Sequence, residues 1–291
     1  SLWRLAKIQI TRDEKTEALA TLEKAIGLNP TSIELKLEVA KLFIRLGAYE
    51  KALRHLEAGL GLNEFHQELI AYQVMCWRLL GDEQAGLMNN FDAFVVSSKI
   101  PVPDGYKDLA EFNKALLRVL DDFHKPELSP LGQSLRHGTQ TLTSLFSMEV
   151  KEIQEARQAL SKTIKSYIEG LPDSKTHPFL KRKNTNFEFS GSWSIQLKDQ
   201  GFHINHVHPE GWISTSYYVD VPRVITKGTD HGGCIKFGES PLKLGEREEI
   251  GKIIRPEVGL LVMFPSYMFH GTFPFSSPET RTTMPFDIIP V

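Results

Sequence analysis

The feature that most constrains the fold of this chain is a self-similarity with a period of 34 residues near its N-terminus. Residues 16–29 align with residues 50–63 when the sequence is shifted by one period. The identical pairs are Ala18/Ala52, Leu19/Leu53, Leu22/Leu56, Glu23/Glu57, Gly27/Gly61, Leu28/Leu62 and Asn29/Asn63. Small residues at fixed positions let two antiparallel helices approach closely, and a 34-residue period is typical of tetratricopeptide repeats. The sequence therefore predicts an N-terminal array of stacked helix pairs.

Such an array buries a continuous core and leaves a concave groove that often holds a peptide. We expect either a protein or peptide ligand in the groove or a packing platform for the rest of the chain, and the repeats alone do not choose between them. About two and a half repeats are recognisable, whereas three or more are usually needed for stability. We therefore expect further repeats upstream of Ser1 or support from the C-terminal domain.

Composition and charge exclude several classes of protein. The chain has 291 residues, of which 41% are hydrophobic and 24% charged, as in ordinary globular proteins of about two domains. A formal net charge of -2 gives no basic excess for nucleic acid. The sequence lacks an apolar run of about 18 residues, so we expect no membrane span. Cys76 and Cys234 are far apart and outside any C-x-x-C pattern, which favours a reducing, cytoplasmic setting. The oligomeric state is not readable from the sequence.

The remainder of the chain changes from helical to strand-like. Ser97 to Gly105 is predicted to form a loop, and helical periodicity resumes over residues 109–120 and 147–168. After Pro178, short β-rich runs separated by Gly, Pro, Asp and Ser predict a barrel or a double-sheet jelly roll. The predicted strands are Phe187 to Leu197, Phe202 to His208, Ile213 to Val221, Cys234 to Phe237, Leu260 to Phe264 and Thr282 to Ile288.

These patterns predict a two-part α+β architecture. Residues 1–96 form an α-solenoid of tetratricopeptide-like helix pairs. Residues 97–291 form a second domain with a helical lead-in over 106–170 and a β-barrel core over 186–291. The core is expected to be a double-stranded β-helix, that is, a cupin-like jelly roll with flanking helices.

Five of the ten histidines fall between His203 and His270. Alternate side chains of a strand share a face, so His206 and His208 are expected to point the same way. Two imidazoles inside a small barrel are costly unless they are hydrogen-bonded or bind a metal. If the barrel curls round, His270 can complete one face of a metal ion. The sequence therefore predicts a metal site.

Arg281 and Thr283 would share a strand face further along the chain. A guanidinium beside a hydroxyl is suited to gripping a carboxylate in bidentate fashion. Polar and aromatic residues elsewhere could shape a substrate pocket, although aromatic residues in a barrel are more often part of its core. The pocket candidates are Gln140, Gln196, Trp212 and Tyr217.

The other histidines have simpler interpretations. We expect His203, out of phase with His206, to be a neighbour of the site or a surface group. We expect His231 to lie in a loop, and His137 either to line a cleft or to be structural. The histidines expected to be ordinary core or surface residues are His55, His66, His124 and His177.

Four motifs together resemble a known family. They are His-x-His-Pro from His206, then Gly-Trp-Ile-Ser and Tyr-Tyr-Val, then Gly-x-Leu-Val-x-Phe-Pro-Ser-x-x-x-His-Gly-Thr, then Arg-x-Thr from Arg281. This series resembles the double-stranded β-helix oxygenases that use iron(II) and 2-oxoglutarate. It is most similar to a bacterial and phage subfamily with a His-x-His-Pro motif, some of whose members carry tetratricopeptide repeats. The resemblance covers Asn186 to Val291 and extends back through residues 138–141.

The resemblance implies a role for each matching residue. His206 and His270 would be iron ligands, and His208 takes a position that is Asp or Glu in most of the superfamily. Arg281 with Thr283 would bind the 5-carboxylate of 2-oxoglutarate, with O2 as the other cosubstrate. The usual facial triad is two histidines and one carboxylate, so this chain offers a three-histidine face instead. Glu210, in a turn, is the alternative carboxylate, and a further arrangement stays open.

Three functions are consistent with these residues. The first is a 2-oxoglutarate-dependent dioxygenase, in particular a hydroxylase acting on a protein or peptide recruited by the repeats. The second is a cupin-like dioxygenase that uses three histidines without 2-oxoglutarate, which would leave Arg281 and Thr283 without a ligand. The third is a repeat scaffold whose barrel binds metal without turnover, against which the complete set of candidate residues argues.

Overall fold

A computed structural model of the protein describes residues 2–125, 134–142 and 144–291. The chain divides into two compact units, each with its own core. Unit 1 consists of Ser1–Asn89 and Leu242–Arg247, and unit 2 of Asn90–Pro241 and Glu248–Val291. The predicted domain boundary after residue 96 remains a prediction.

Unit 1 is built from helices. They are α1 (Leu2–Thr11), α2 (Lys15–Leu28), α3 (Ile33–Arg45), α4 (Tyr49–Leu60), α5 (Gln67–Leu80) and α6 (Gln84–Met88). Helices α2 and α4 begin 34 residues apart, and so do α3 and α5. The N-terminal caps keep the same interval, because Ser32 Oγ accepts from Leu35 N and His66 Nδ1 accepts from Leu69 N. The predicted helical repeat is confirmed.

Equivalent positions of the repeat are buried in the same way. Ala18 and Ala52 are completely buried, and Leu56 packs in the core of its helix pair. Gly59 lies where α4 approaches α5, since an added Cβ would be 2.7 Å from Leu69 Cδ1. The small residues of the repeat therefore mark close helix contacts, as the sequence predicts.

The segment Leu242–Arg247 belongs to unit 1 although it comes late in the chain. The Arg247 guanidinium donates to the carbonyl of Ile44 at 3.3 Å and to the hydroxyl of Tyr49 at 3.1 Å. In return, the carbonyl of Arg247 accepts a hydrogen bond of 2.7 Å from the Arg78 guanidinium. Unit 1 thus holds a short peptide segment through an arginine side chain and backbone.

Unit 2 consists of two antiparallel sheets with helices beside them. The helices are α7 (Phe91–Phe94), α8 (Leu109–His124), α9 (Lys151–Gly170) and α10 (Arg223–Lys227). The strands are β1 (Val96–Lys99), β2 (Leu135–Gln140), β3 (Phe187–Ser192), β4 (Ile195–His203), β5 (Ile213–Asp220), β6 (Ile235–Phe237), β7 (Lys252–Ile254), β8 (Leu260–Pro265), β9 (His270–Thr272), β10 (Arg281–Met284) and β11 (Phe286–Pro290).

The larger sheet has the strand order β1-β8-β5-β10-β4-β2, and β11 pairs with both β3 and β5. The smaller sheet has the order β7-β6-β9. Most neighbouring strands of the larger sheet are far apart in sequence, as in a jelly roll. The two-part α+β architecture and the jelly-roll core are therefore confirmed.

Helices α8 and α9 are fixed to unit 2 by buried tyrosines. Tyr217 on β5 donates to Asn113 Oδ1 on α8 at 2.8 Å, and Tyr167 on α9 donates to the Phe94 carbonyl at 2.7 Å. Within the described ranges, no helix combines the length and the apolar character needed to cross a membrane.

Several local predictions are wrong. The predicted loop from Ser97 to Gly105 begins as a strand, because residues 96–99 pair with β8. The predicted strand from Phe202 to His208 ends at His203, and His206 makes only an isolated bridge to His270. The predicted strand from Phe187 to Leu197 is divided into β3 and β4. The reason is the same in each case, since strand limits depend on partners that are distant in sequence.

The buried side chain of His124 forms hydrogen bonds with two residues of the larger sheet and its loops. His124 Nδ1 lies 2.7 Å from Thr139 Oγ1, and His124 Nε2 lies 3.0 Å from Ser194 Oγ. Ser194 Oγ in turn donates to the Thr283 carbonyl at 3.2 Å. Because Ser194 donates its proton forward, Nε2–H of His124 donates to Ser194 and Nδ1 accepts from Thr139. The chain is satisfied only by a neutral imidazole, and burial lowers the pKa of His124 to about 4.

This arrangement predicts a specific sensitivity to acid. The pKa of His124 is lower in the folded state than in the unfolded chain, so its stabilising effect is complete above about pH 6.5 and decreases as the pH falls towards 4. The free energy of unfolding should fall by up to about 1.4 kcal/mol per pH unit, which gives about 3 kcal/mol over this pH range. Urea unfolding at a series of pH values should therefore show a steeper acid loss for the parent than for His124→Gln. Parallel curves for the two proteins would contradict the prediction.

Candidate active site

Three histidines from distant parts of unit 2 meet at one point. His206 and His270 are joined by two backbone hydrogen bonds, 2.9 Å from His206 N to His270 O and 3.0 Å in the opposite sense. His208 is brought alongside, with its backbone N–H donating to the Ser266 carbonyl at 3.1 Å. One ring nitrogen from each histidine lies within 4.8 Å of the other two. His206 Nε2 and His208 Nε2 are 3.2 Å apart, so both can reach one ion.

The other ring nitrogen of each histidine has a hydrogen-bond acceptor. The acceptors are Ile204 O for His206 Nδ1 at 2.8 Å, Met268 O for His270 Nδ1 at 3.0 Å, and Asp287 Oδ2 for His208 Nδ1 at 2.7 Å. Carbonyl and carboxylate oxygens can only accept, so each Nδ1 carries a proton and Nε2 is the atom left to bind a metal. This is the pattern of metal-ligating histidines, whose second nitrogen donates to a carbonyl or carboxylate.

Two rings of the cluster, those of His206 and His270, are held in the neutral form. Burial, and then the nearby His208, lowers the pKa of His206 to about 3. Burial also places the pKa of His270 well below its usual range, with the neighbouring His206 and His208 acting in the same direction. Neutral imidazole is the form that binds a metal. Three neutral nitrogen donors fit a first-row divalent metal such as iron(II).

Arg281 is a buried cation in the same cavity. It is 2% exposed, and its Nη1 donates to the Gly233 carbonyl at 2.7 Å, while its Nε has no hydrogen-bond partner. Burial lowers the pKa of Arg281. Among the described residues no carboxylate forms an ion pair with it. Because a buried charge is costly unless it is paired, the site is suited to an anionic ligand such as the 5-carboxylate of 2-oxoglutarate.

One cavity of about 390 Å3 brings these groups together. The three histidines, Arg281, Thr283 and Gln140 all line it. The remaining pocket candidates lie elsewhere. Trp212 is completely buried in the core and donates to the Phe179 carbonyl at 2.9 Å.

Tyr217 and Gln196 are likewise absent from the cavity lining. Tyr217 points to α8, where it donates to Asn113. Gln196 donates to Asp121 Oδ1 at 2.6 Å. The predicted pocket role of Gln196, Trp212 and Tyr217 is therefore corrected: these side chains serve packing and hydrogen bonding outside the cavity.

The two candidates for the third metal ligand lie in different places. His208 is in the cluster, whereas Glu210 is an exposed residue of a turn at the cavity edge and is outside the cluster. His203 is a neighbour of the site, since its Nδ1 lies 2.9 Å from Ser134 Oγ. His231 is in a loop, and His137 is exposed and does not line the cavity.

Asp287 is a residue that the motif analysis misses. It lies on β11, is 9% exposed, and accepts from His208. A sequence signal was present, because an acidic residue interrupts an otherwise apolar run, Phe286 to Ile289. A carboxylate in a buried strand is unusual unless it is paired.

Comparison with known proteins agrees with this geometry. Residues 191–287 match the model of a family described as "Putative 2OG-Fe(II) oxygenase". The match spans the three histidines, Arg281, Thr283 and Asp287. This region is a 2OG-Fe(II) oxygenase domain. Iron(II), 2-oxoglutarate and O2 are accordingly its cofactor and cosubstrates. No curated protein matches the chain.

Among solved structures, the chain is similar to two prolyl hydroxylases. The prolyl-4-hydroxylase of Pseudomonas putida is 15% identical, with 71% of this chain and 98% of that chain covered and a TM-score of 0.45. The viral collagen prolyl hydroxylase of Paramecium Bursaria Chlorella virus-1, solved with 2-oxoglutarate, is 13% identical, with coverage of 68% and 97% and a TM-score of 0.43.

A third solved structure is similar over a smaller part of the chain. MamA from AMB-1 is 16% identical, with 30% of this chain and 51% of that chain covered and a TM-score of 0.28. TM-scores below 0.5 at these identities carry no conclusion about what the oxygenase domain acts on.

The nitrogen cluster predicts metal-dependent stability. Cobalt(II) in excess of its dissociation constant should raise the melting temperature of the metal-free protein, since a ligand at 100 times its Kd adds about 2.7 kcal/mol. His270→Ala removes one donor and should abolish most of this increase. His231→Ala is the matched control, because His231 stacks on Phe273 in a loop and should leave the increase intact. Equal increases in both variants would argue against the cluster.

Proposed function

We propose that this protein is an iron(II)- and 2-oxoglutarate-dependent hydroxylase that acts on a protein or peptide. The observation that carries the proposal is the combination, in one cavity, of three imidazole nitrogens and a buried guanidinium whose Nε has no partner among the described residues. The first group suits a divalent metal, and the second suits a dianionic cosubstrate that also chelates the metal. A cupin-like dioxygenase that needs no 2-oxoglutarate would use the three nitrogens, but it would leave the guanidinium without a ligand.

His206, His208 and His270 would hold iron(II) through their Nε2 atoms. Bound together, iron(II) and 2-oxoglutarate supply oxidative decarboxylation of the cosubstrate to succinate, coupled to transfer of one oxygen atom from O2 to a C–H bond. The carbonyls of Ile204 and Met268 keep two of the rings oriented, so the donor atoms need no rearrangement before binding.

Arg281 and Thr283 would anchor the far end of 2-oxoglutarate. Both side chains line the cavity from β10. The Gly233 carbonyl fixes the guanidinium by accepting from Nη1, which leaves Nε for a carboxylate oxygen. Behind Thr283, the chain of Ser194 and His124 holds its backbone carbonyl in place.

Hydroxylation is favoured over halogenation by the third protein ligand. Halogenation requires a halide bound to the metal in place of a third protein ligand. In this protein His208 can be that third ligand, since its Nε2 lies 3.2 Å from His206 Nε2. The protein therefore supplies a complete facial set, which suits transfer of oxygen.

A protein or peptide substrate is supported by unit 1. Helical repeats commonly bind peptides, and this unit already holds one peptide segment, Leu242–Arg247, through the side chain and carbonyl of Arg247. The two buried free cysteines, Cys76 and Cys234, are compatible with the predicted cytoplasmic setting.

The cosubstrate assignment predicts that Arg281→Ala loses 2-oxoglutarate. Anaerobic addition of 2-oxoglutarate to the iron(II) protein should produce the visible metal-to-ligand charge-transfer absorption of a chelated cosubstrate. The parent and Arg255→Ala should both show it, because Arg255 binds the Ile225 carbonyl outside the cavity. Arg281→Ala should bind iron but require far more 2-oxoglutarate, since a charged hydrogen bond contributes about 1.5–3 kcal/mol, roughly 10- to 100-fold.

Two results would overturn this assignment. If the parent binds iron(II) and shows no absorption with 2-oxoglutarate, the three-histidine dioxygenase without that cosubstrate replaces it. If Arg281→Ala responds to 2-oxoglutarate as the parent does, the guanidinium is not the anchor.

The substrate class has its own test. The holoenzyme forms some succinate without substrate. The protein fraction of a cell extract, and peptides from its protease digest, should raise the rate of succinate formation above this background. The small-molecule filtrate of the same extract should have no effect. Stimulation by the filtrate alone would exclude a protein substrate while leaving the hydroxylase assignment intact.

A further inference from the structure

Asp287 is the acidic side chain that contacts the histidine cluster directly. Its Oδ2 accepts from His208 Nδ1 at 2.7 Å, whereas the other two rings donate to backbone carbonyls. Its Oδ1 is buried and has no hydrogen-bond partner in the described part of the chain. One histidine of the three is therefore backed by a carboxylate and the other two are backed by neutral dipoles.

The fold holds this carboxylate firmly. Asp287 lies on β11, opposite Ser214 of β5 on one side and Gly191 of β3 on the other. The next residue follows an irregularity in the β3 pairing, between Asp287 and Ile288. Such irregularities re-aim side chains in a sheet. The strand thus presents Asp287 to the cavity rather than to the core.

The ring of His208 is also restricted from its other sides. Trp193 stacks on it, with centroids 5.8 Å apart and planes inclined by 24°. Gly211 allows Asp287 and Ser266 to approach the backbone closely, since an added Cβ would lie 3.5 Å from Asp287 Cβ and far closer to Ser266 Oγ. In the observed orientation of His208, Nδ1 meets Asp287 and Nε2 lies 3.2 Å from His206 Nε2.

We propose that Asp287 is a positioning residue that supplies, through His208, the negative charge that the usual facial triad obtains from a carboxylate ligand. This inference rests on the proposed metal centre. Nδ1 and Nε2 lie on opposite sides of an imidazole, so a carboxylate bonded to Nδ1 acts on the metal through the ring. Such a hydrogen bond fixes the tautomer and raises the basicity of the ligand nitrogen.

The inference explains why histidine can stand where a carboxylate is usual. Three neutral ligands leave a divalent ion with its full charge, and an anion one residue further out offsets part of it. Because the same carboxylate also orients the ring, charge and geometry depend on a single side chain. The contribution of His208 to metal binding should therefore depend on Asp287 more than that of His206 or His270 does.

The test is cobalt(II) binding by the metal-free full-length protein without 2-oxoglutarate, followed by competition with a chelator and by the visible absorption of the bound ion. Asp287→Asn keeps the size and an acceptor oxygen but removes the charge. We expect 10- to 100-fold weaker binding, the usual effect of losing such a partner, together with a shifted cobalt spectrum. Asp287→Ser, a smaller neutral acceptor, is the second variant if Asp287→Asn does not fold.

Two controls separate positioning from general damage. Asp199→Asn removes a hydrogen-bonded carboxylate of the same unit that contacts Ser276 and Ser277 outside the cavity, and should bind cobalt as the parent does. In a His208→Ala background, Asp287→Asn should cause no further loss, because the ring that transmits its effect is gone.

Three outcomes would overturn the proposal. Equal cobalt affinity and an equal spectrum in the parent and the Asp287 variant would do so while leaving the metal centre standing. The same loss in the His208→Ala background would make Asp287 a structural residue. If the parent binds no cobalt, the proposed metal centre is wrong, and so is this inference.

Discussion

Two backbone hydrogen bonds between His206 and His270 hold the site together. They join the segment that leaves β4, in the larger sheet, to the first residue of β9, in the smaller one. Backbone pairing fixes both Cα positions, so the two imidazoles need to find only a side-chain rotamer to meet. His208 is then carried into the cluster by its own bond to Ser266. Three imidazole rings can lie together in the cavity because every Nδ1 has a hydrogen-bond acceptor and every Nε2 would bind the metal.

The cavity contains two buried charged side chains of opposite sign that do not pair with each other. Arg281 lacks a partner at Nε, and Asp287 lacks one at Oδ1. Unpaired buried polar atoms are rare in proteins and cost stability. In the proposed function each has a different use: the guanidinium would bind the cosubstrate, and the carboxylate supports His208. A ligand that satisfies the Arg281 Nε should therefore stabilise the protein.

The parts predicted from sequence are those encoded locally or repetitively. The 34-residue period predicted the helix pairs. The spacing of His206, His208 and His270, together with the family resemblance, predicted the histidine cluster, and Arg281 lines the same cavity. Pairings between distant segments were not predictable: β1 was expected to be a loop because nothing within residues 96–99 identifies β8 as its partner. Trp212 and Tyr217 were assigned to the pocket because residue type does not reveal which face of a sheet a side chain occupies. Asp287 was missed because its role exists only opposite His208.

Residues 242–247 give unit 1 an unusual dependence on the order of synthesis. Most of the sequence of unit 2 lies between the helices of unit 1 and Arg247, the arginine that bonds to Ile44, Tyr49 and Arg78. Until residue 247 has been translated, these helices lack the hydrogen bonds that its guanidinium and carbonyl form with them. A chain cut after Asn89 therefore lacks one strip of unit 1, so the structural unit does not coincide with a contiguous stretch of sequence.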